Sequence, residues 1–326
     1  MSKAIRIHRT GGPEVMVWEE VEFGRPGPGQ VRLRHTAIGL NYIDTYLRSG
    51  LYPLASLPAV LGREGAGVVD EVGDGVPPGL APGDRVAYAM HPGGSYSEEA
   101  IVSAERLLKL PDGIEDRVAA AMMLKGLTAQ YLLRRTFRVE PGQTILFHAA
   151  AGGVGLIACQ WAKTLGATVI GTVGSREKAE LARAHGCDHV ILYTEESFAP
   201  RVREITGGAG VPVVYDSVGK DTFEGSLDCL APRGLMVSYG NASGPPPPFS
   251  ILTLSTKGSL YLTRPALATY VARRDELEQA AAELFDVVLR GAVKIEIRQS
   301  YALRDAAAAH RDLEDRKTTG STVLIP

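Results

Sequence analysis

Residues 144–166 read TILFHAAAGGVGLIACQWAKTLG, and the interpretation of this stretch decides the fold. An apolar strand, TILFHA, runs into a turn of small residues and then into a helical pattern. Ala150, Gly152 and Gly155 occupy the three positions of a G-x-G-x-x-G fingerprint, with alanine replacing the first glycine. In that arrangement the backbone N–H groups of Gly152, Gly153 and Val154 at the helix start point at a pyrophosphate, and Gly152 leaves room for close approach. Such a run alone also fits a plain strand–helix turn; its βαβ surroundings favour dinucleotide binding.

Those surroundings extend in the C-terminal direction. TVIGTV, REKAELARAHG and HVILY alternate strand and helix, followed by VPVVYDSVG, the short helix-like DTFEGSLDCL and LMVSYGN, with Pro232 and Gly234 turning the chain. Alternation of this kind predicts a doubly wound parallel sheet of at least five strands. GSLYLT is a plausible further strand, and DELEQAAAELFDVVLRG reads as an amphipathic helix stopped by Gly291. Upstream, to about residue 124, short β-rich runs (VRLRHTAI, GAGVVDEVG, DRVAYAM) recur between Pro/Gly turns, as an antiparallel sheet or barrel requires, and helix is scarce. VKIEIRQSY and STVLIP restore β character at the end. The expected organisation is therefore α/β: a β-rich domain over 1–124, a parallel-sheet domain over 125–265, and a segment, 266–326, returning to the first.

A length of 326 residues fits two domains, and 45% apolar with 22% charged residues is ordinary globular usage. A net charge of −2 with dispersed Lys and Arg gives no footprint for nucleic acid. Cys159, Cys187 and Cys229 stand far apart in the chain and suggest neither a disulfide framework nor a Cys-x-x-Cys clamp. With no signal-like start and no membrane-length apolar run, a cytoplasmic protein is expected. The seven histidines form no spaced ligand set, and Cys159 lies on an apolar helix.

The strand TVIGTV should end beside the adenosine ribose, where an NAD enzyme commonly places an acid. Here Gly174, Ser175, Arg176 and Lys178 follow instead, a hydroxyl and two cations that suit a 2′-phosphate, so NADPH is favoured over NADH. A solvated first helical turn is the alternative. Ser217 and Val218, then Tyr239, Gly240 and Asn241, end the next two strands, at the edge where open α/β sheets bind ligands.

GLNYIDTYLRSGLYP, LKGLTAQYLL, FHAAAGGVGLIACQWAK, VVYDSVG and GSTVLIP resemble the NADPH:quinone oxidoreductases of the medium-chain dehydrogenase/reductase superfamily, the group that includes zeta-crystallin. The resemblance covers essentially the whole chain. It implies a GroES-like β domain, an inserted Rossmann domain, a cofactor cleft between them and a homodimer, with GSLYLT as the candidate strand to pair across the two-fold axis. It places Asn41, Tyr46, Tyr52 and Thr128 near the nicotinamide and the acceptor. It assigns cofactor contacts to Tyr131, Ser175, Lys178 and Tyr193 and, more loosely, to Thr263, Arg264 and Arg316. The plainer alternatives are packed tyrosines, a helix cap at Thr128, and ion pairs at Arg264 and Arg316.

LGREGAG at 61–67 departs from the superfamily's zinc enzymes. Their equivalent turn reads Gly-His-Glu, where this chain has Arg63, and their other first-domain ligand is a Cys where this chain has Asn41. A guanidinium offers no lone pair to zinc, so no metal is expected. A quinone or conjugated enone accepts reducing equivalents without a Lewis acid. NADPH-dependent quinone reduction is the expected activity, with enone or alkenal reduction, or non-enzymatic NADPH sensing or nucleic-acid binding, as alternatives.

Overall fold

The computed structural model describes residues 2–326, which form two compact units. The first comprises residues up to 127, then 271–285 and 295–326; the second comprises 128–270 and 286–294.

The first unit opens with β1 (Ser2–Ile7), which pairs antiparallel with β2 (Met16–Val21). After β3 (Gln30–Leu40) comes helix α1 (Tyr42–Ser49), in the region where helix was expected to be scarce. Asn41 caps it in extended conformation, the Asp44 carboxylate accepts the Asn41 N–H at 2.9 Å, and Gly50 closes it at φ +84°. These local bonds satisfy the ends of a helix too short to be stable alone. β4 (Ala59–Val60) joins β1, and β5 (Glu64–Val72), β6 (Arg85–Ala89), β7 (Glu99–Ser103) and β8 (Leu108–Lys109) continue the main sheet. Helix α2 (Asp116–Tyr131) then leads out of the unit.

The second unit carries β9 (Thr144–Phe147), α3 (Gly153–Thr164), β10 (Thr168–Val173), α4 (Arg176–Ala184), β11 (His189–Leu192), α5 (Phe198–Ile205), β12 (Val211–Asp216), α6 (Phe223–Cys229) and β13 (Leu230–Ser238). After α7 (Leu252–Thr256), β14 (Tyr261–Thr263) completes the sheet, and α8 (Leu267–Tyr270) follows. All six strands are parallel, ordered β11-β10-β9-β12-β13-β14. Strand order reverses between β9 and β12, which places the nucleotide loop after β9 at the switch point. Leu146, Ile170, Val214, Met236 and Phe223 lie in the core of this unit, so the strands read as near-continuous apolar runs.

The helix expected to end at Gly291 is α9 (Arg274–Leu289), with Gly291 at φ +69°; its last residues belong to the second unit. β15 (Ile297–Ala302), α10 (Ala306–Glu314) and β16 (Ser321–Ile325) return to the first unit, where the main sheet runs β15-β16-β3-β5-β6-β8 with β7 on β3. Leu40, Leu47, Leu61, Tyr96, Leu303 and Leu324 share one core there.

Candidate functional site

The nucleotide loop forms as the spacing requires. Gly152 is the N-cap of α3 with no side chain bonded across it, so the first helical N–H groups, those of Gly153 and Val154 among them, have no intrahelical acceptor. Helix polarity makes that end attractive to a phosphate. Gly155 is obligatory for a different reason: a Cβ there would stand 2.4 Å from the Ala149 carbonyl oxygen and 2.7 Å from Ala150 backbone atoms. The loop and helix approach each other more closely than any side chain allows.

At the end of β10, the Ser175 hydroxyl accepts the Lys178 N–H and caps α4. Gly174 lies under the Tyr193 hydroxyl, which would be 2.5 Å from a Cβ at that position, and Tyr193 is exposed rather than a core tyrosine. Arg176 pairs with Glu195 at 3.1 Å on an open surface. Ser217 and Val218 follow β12, Tyr239 to Asn241 follow β13, and Arg264 donates to the Gly240 carbonyl at 2.9 Å and to the Ser238 hydroxyl. The second unit therefore brings Gly152 to Val154, Gly174 to Lys178, Tyr193, Ser217, Val218, Tyr239 to Asn241, Thr263 and Arg264 to the carboxyl ends of its strands. Beneath them, Asp216 accepts the Val218 and Gly219 N–H groups and the hydroxyls of Thr222 and Ser226, and Ser226 also meets the buried His148.

Thr128 and Tyr131 lie in the last turns of α2, so Thr128 is no helix-start cap. The Tyr131 ring stacks on Tyr270 at 4.5 Å. Arg316, at φ +59°, follows α10 in the first unit and does not join the strand-end group.

In the first unit, Asn41 caps α1 and Tyr46 lies on it, while Tyr52 folds back with its N–H on the Tyr46 carbonyl. The Tyr46 and Tyr52 rings meet edge-on at 5.2 Å. Tyr46 is buried; Tyr52 is half-buried against the Leu40–Leu47 core.

At LGREGAG the buried contacts belong to Glu64 and its partner Lys125, neither of which the sequence singled out. Gly62, at φ +91° and tight against Tyr96, turns the chain so that Glu64 enters β5 fully buried. The Glu64 carboxylate accepts the Asn41 amide at 2.8 Å, the Lys125 ammonium at 2.7 Å and the Leu124 N–H at 2.6 Å. Arg63 points elsewhere and donates to the His91 carbonyl at 2.9 Å. Zinc does not fit this donor set: one carboxylate oxygen already carries an ammonium, and the amide and guanidinium are poor ligands. Among the described residues, no three His, Cys, Asp or Glu side chains stand together as metal donors.

Asp44 is a second fully buried acid of the first unit. Desolvation and the nearby Glu64 charge push it up to about 7, against the opposing Asn41 N–H, the Tyr96 hydroxyl and Arg63. Behind it runs a chain of hydrogen bonds: Tyr96 donates to Asp44 at 3.0 Å, His310 Nε2 stands 3.0 Å from the Tyr96 hydroxyl, and Arg48 donates to His310 Nδ1 at 2.8 Å. Since a guanidinium cannot accept, His310 carries its proton on Nε2 and the chain donates toward Asp44. A shallow hollow of about 450 Å³ beside Thr36, Arg85 and Asp116 contains none of the expected site residues.

Residues 27–112 match the alcohol dehydrogenase GroES-like domain and residues 153–286 the zinc-binding dehydrogenase model. The chain is 57% identical to the quinone oxidoreductase of Pseudomonas aeruginosa over 326 residues, covering 100% of both chains. The chain belongs to the quinone oxidoreductase family. It is also 52% identical to a 2-haloacrylate reductase from a Burkholderia species, covering 100% of this chain and 99% of that protein. The crystal structure of Escherichia coli quinone oxidoreductase complexed with NADPH superposes with a TM-score of 0.97 at 51% identity, covering 99% of this chain and 100% of that one.

Proposed function

We infer that this protein is a zinc-independent NADPH:quinone oxidoreductase. The observation that carries this reading is the dinucleotide-loop spacing kept at Gly152 to Gly155, in a chain whose Glu64 carboxylate is taken up by an ammonium and an amide. NADPH supplies the hydride, and one proton from solvent completes the conversion of quinone and NADPH to hydroquinone and NADP⁺. The chain's own residues bind, orient and exclude water.

The N–H groups at the start of α3 hold the pyrophosphate. Arg176 and Lys178 offer cations to the 2′-phosphate, and no carboxylate directly follows β10 to repel it. The Arg176–Glu195 pair is open to solvent and weak, so the guanidinium exchanges Glu195 for a phosphate at little cost. Tyr193 covers the adenosine end. Asn41, Tyr46, Tyr52 and Thr128 serve the nicotinamide and the acceptor, their amide and hydroxyl groups donating to a quinone oxygen. The kinship with a 2-haloacrylate reductase supports a second reading, reduction of an activated C=C bond by the same hydride chemistry. Steady-state turnover of NADPH with p-benzoquinones and with enones separates the two; an enzyme that reduces neither class refutes both.

A cytoplasmic homodimer is also proposed. No described helix is long and apolar enough to cross a membrane. The sheet of the second unit ends in the short edge strand β14, where Tyr261 is 61% exposed, and the preceding segment leaves Ile251 77% and Leu252 70% exposed. An uncovered edge with apolar neighbours suits pairing across a two-fold axis. Light scattering at micromolar concentration should give twice the chain mass, and a single-chain mass would remove the proposal.

A further inference from the structure

Glu64 Oε1 is shared by two donors, Asn41 Nδ2 at 2.8 Å and Lys125 Nζ at 2.7 Å, and all three side chains are buried. Its other oxygen accepts the Leu124 N–H from within α2. A buried carboxylate only accepts, so the Asn41 amide must turn its nitrogen inward, and the ammonium balances the charge that makes this compulsory. The approach is built into the sheet. Gly39 lies opposite Glu64 in the β3–β5 register, and a Cβ on Gly39 would fall 2.2 Å from Glu64 Oε1 and from the Ala120 carbonyl oxygen. Two residues beyond Gly39, the chain leaves β3 and places Asn41 over that carboxylate.

We propose that Glu64 and Lys125 are positioning residues for Asn41: the buried ion pair draws the Asn41 amide nitrogen onto Glu64, so that one of its hydrogens is held there and the second is aimed at the acceptor. This rests on the role given to Asn41 above. A glutamine in place of Glu64 presents either an oxygen or an NH2 group to the amide and no longer dictates its orientation. The charged pair also ties α2 to the start of β5, so the amide cannot drift when the acceptor binds.

The test is a set of variants in the full chain: Asn41→Ala, the charge-free double variant Glu64→Gln/Lys125→Met, and their combination. Removing both charges avoids leaving one buried and unpaired. Turnover with NADPH and a p-benzoquinone, KM for NADPH and the thermal midpoint are measured for each. The double variant should lose about tenfold in kcat, keep KM for NADPH within about twofold, and melt near the parent. Asn41→Ala should lose a similar factor, and the combination should lose no more than either. If Asn41→Ala loses activity while the double variant keeps it, the positioning role is overturned and the Asn41 assignment stands. Full activity in Asn41→Ala overturns the assignment itself, and losses that multiply in the combination overturn the link between them. Should the double variant fail to fold, Glu64→Asp keeps the charge and withdraws the acceptor by one methylene; it must lose kcat without a matching rise in KM, and undiminished kcat overturns the proposal.

Discussion

Replacing Asp44 by asparagine should abolish a specific part of the stability–pH curve. Asp44 titrates near 3.8 in the unfolded chain and is held at about 7 in the folded one. A carboxyl whose folded value is raised stabilises the fold fully below its unfolded value, and this contribution is lost as pH rises through the folded one. The window therefore runs from about pH 4 to about pH 7. The full difference corresponds to about 4 kcal/mol, of which about 2.5 kcal/mol falls between pH 5 and pH 8. The raw curve of the parent does not display this loss directly. Burial holds His35 and His91 down at about 4 and His310 at about 3, and depressed histidines act with the opposite sign, lowering stability as pH falls below about 6.5. Asparagine keeps an oxygen for the Asn41 N–H and the Tyr96 hydroxyl, so subtracting the curve of Asp44→Asn from that of the parent isolates the carboxyl. Urea unfolding at pH 5, 6, 7 and 8 should show the parent losing about 2.5 kcal/mol relative to the variant over that range. Parallel curves would refute the reasoning, because they would mean that Asp44 is ionised in the fold at no cost.

Gly155→Ala forces a Cβ to within 2.4 Å of a backbone oxygen that no rotamer change relieves. Overpacking of this kind costs about 1–3 kcal/mol, so calorimetric titration should show NADPH binding weakened about tenfold or more, with an unchanged Kd as the contrary result. Arg176→Ala/Lys178→Ala should raise KM for NADPH about thirtyfold or more and leave that for NADH nearly unchanged, since two charge-assisted contacts to the 2′-phosphate are lost together; equal effects on both cofactors would place the 2′-phosphate elsewhere.

Much of the fold was legible because the second unit advertises itself through periodicity. Its strands are buried on both faces and its helices are amphipathic, so the alternation and the Gly152–Gly155 spacing can be read one residue at a time. Helix α1 was missed for the opposite reason. It is eight residues long, and its signal is local: Asn41, Asp44 three residues later, and Gly50. An Asn-x-x-Asp opening followed by a glycine stop would have revealed it. Glu64 and Lys125 were invisible because their partnership joins positions 61 apart in sequence. Only the β3–β5 register and the packing of α2 bring the ammonium to the carboxylate. The one available hint was Glu64 itself, an acid kept between glycines in a turn without metal donors. A helix cap was the plainer alternative at Thr128, but the helix runs through Gly126, whose missing side chain makes room for Leu284.

The central claim is hydride transfer from NADPH to an electron-poor acceptor without electrophilic help from a metal. The most direct measurement is turnover of NADPH with a p-benzoquinone by purified protein dialysed against a strong chelator, with zinc content determined in the same sample. Undiminished turnover at a metal content far below one ion per chain is the predicted result. Activity that disappears on dialysis and returns in proportion to added zinc would contradict it.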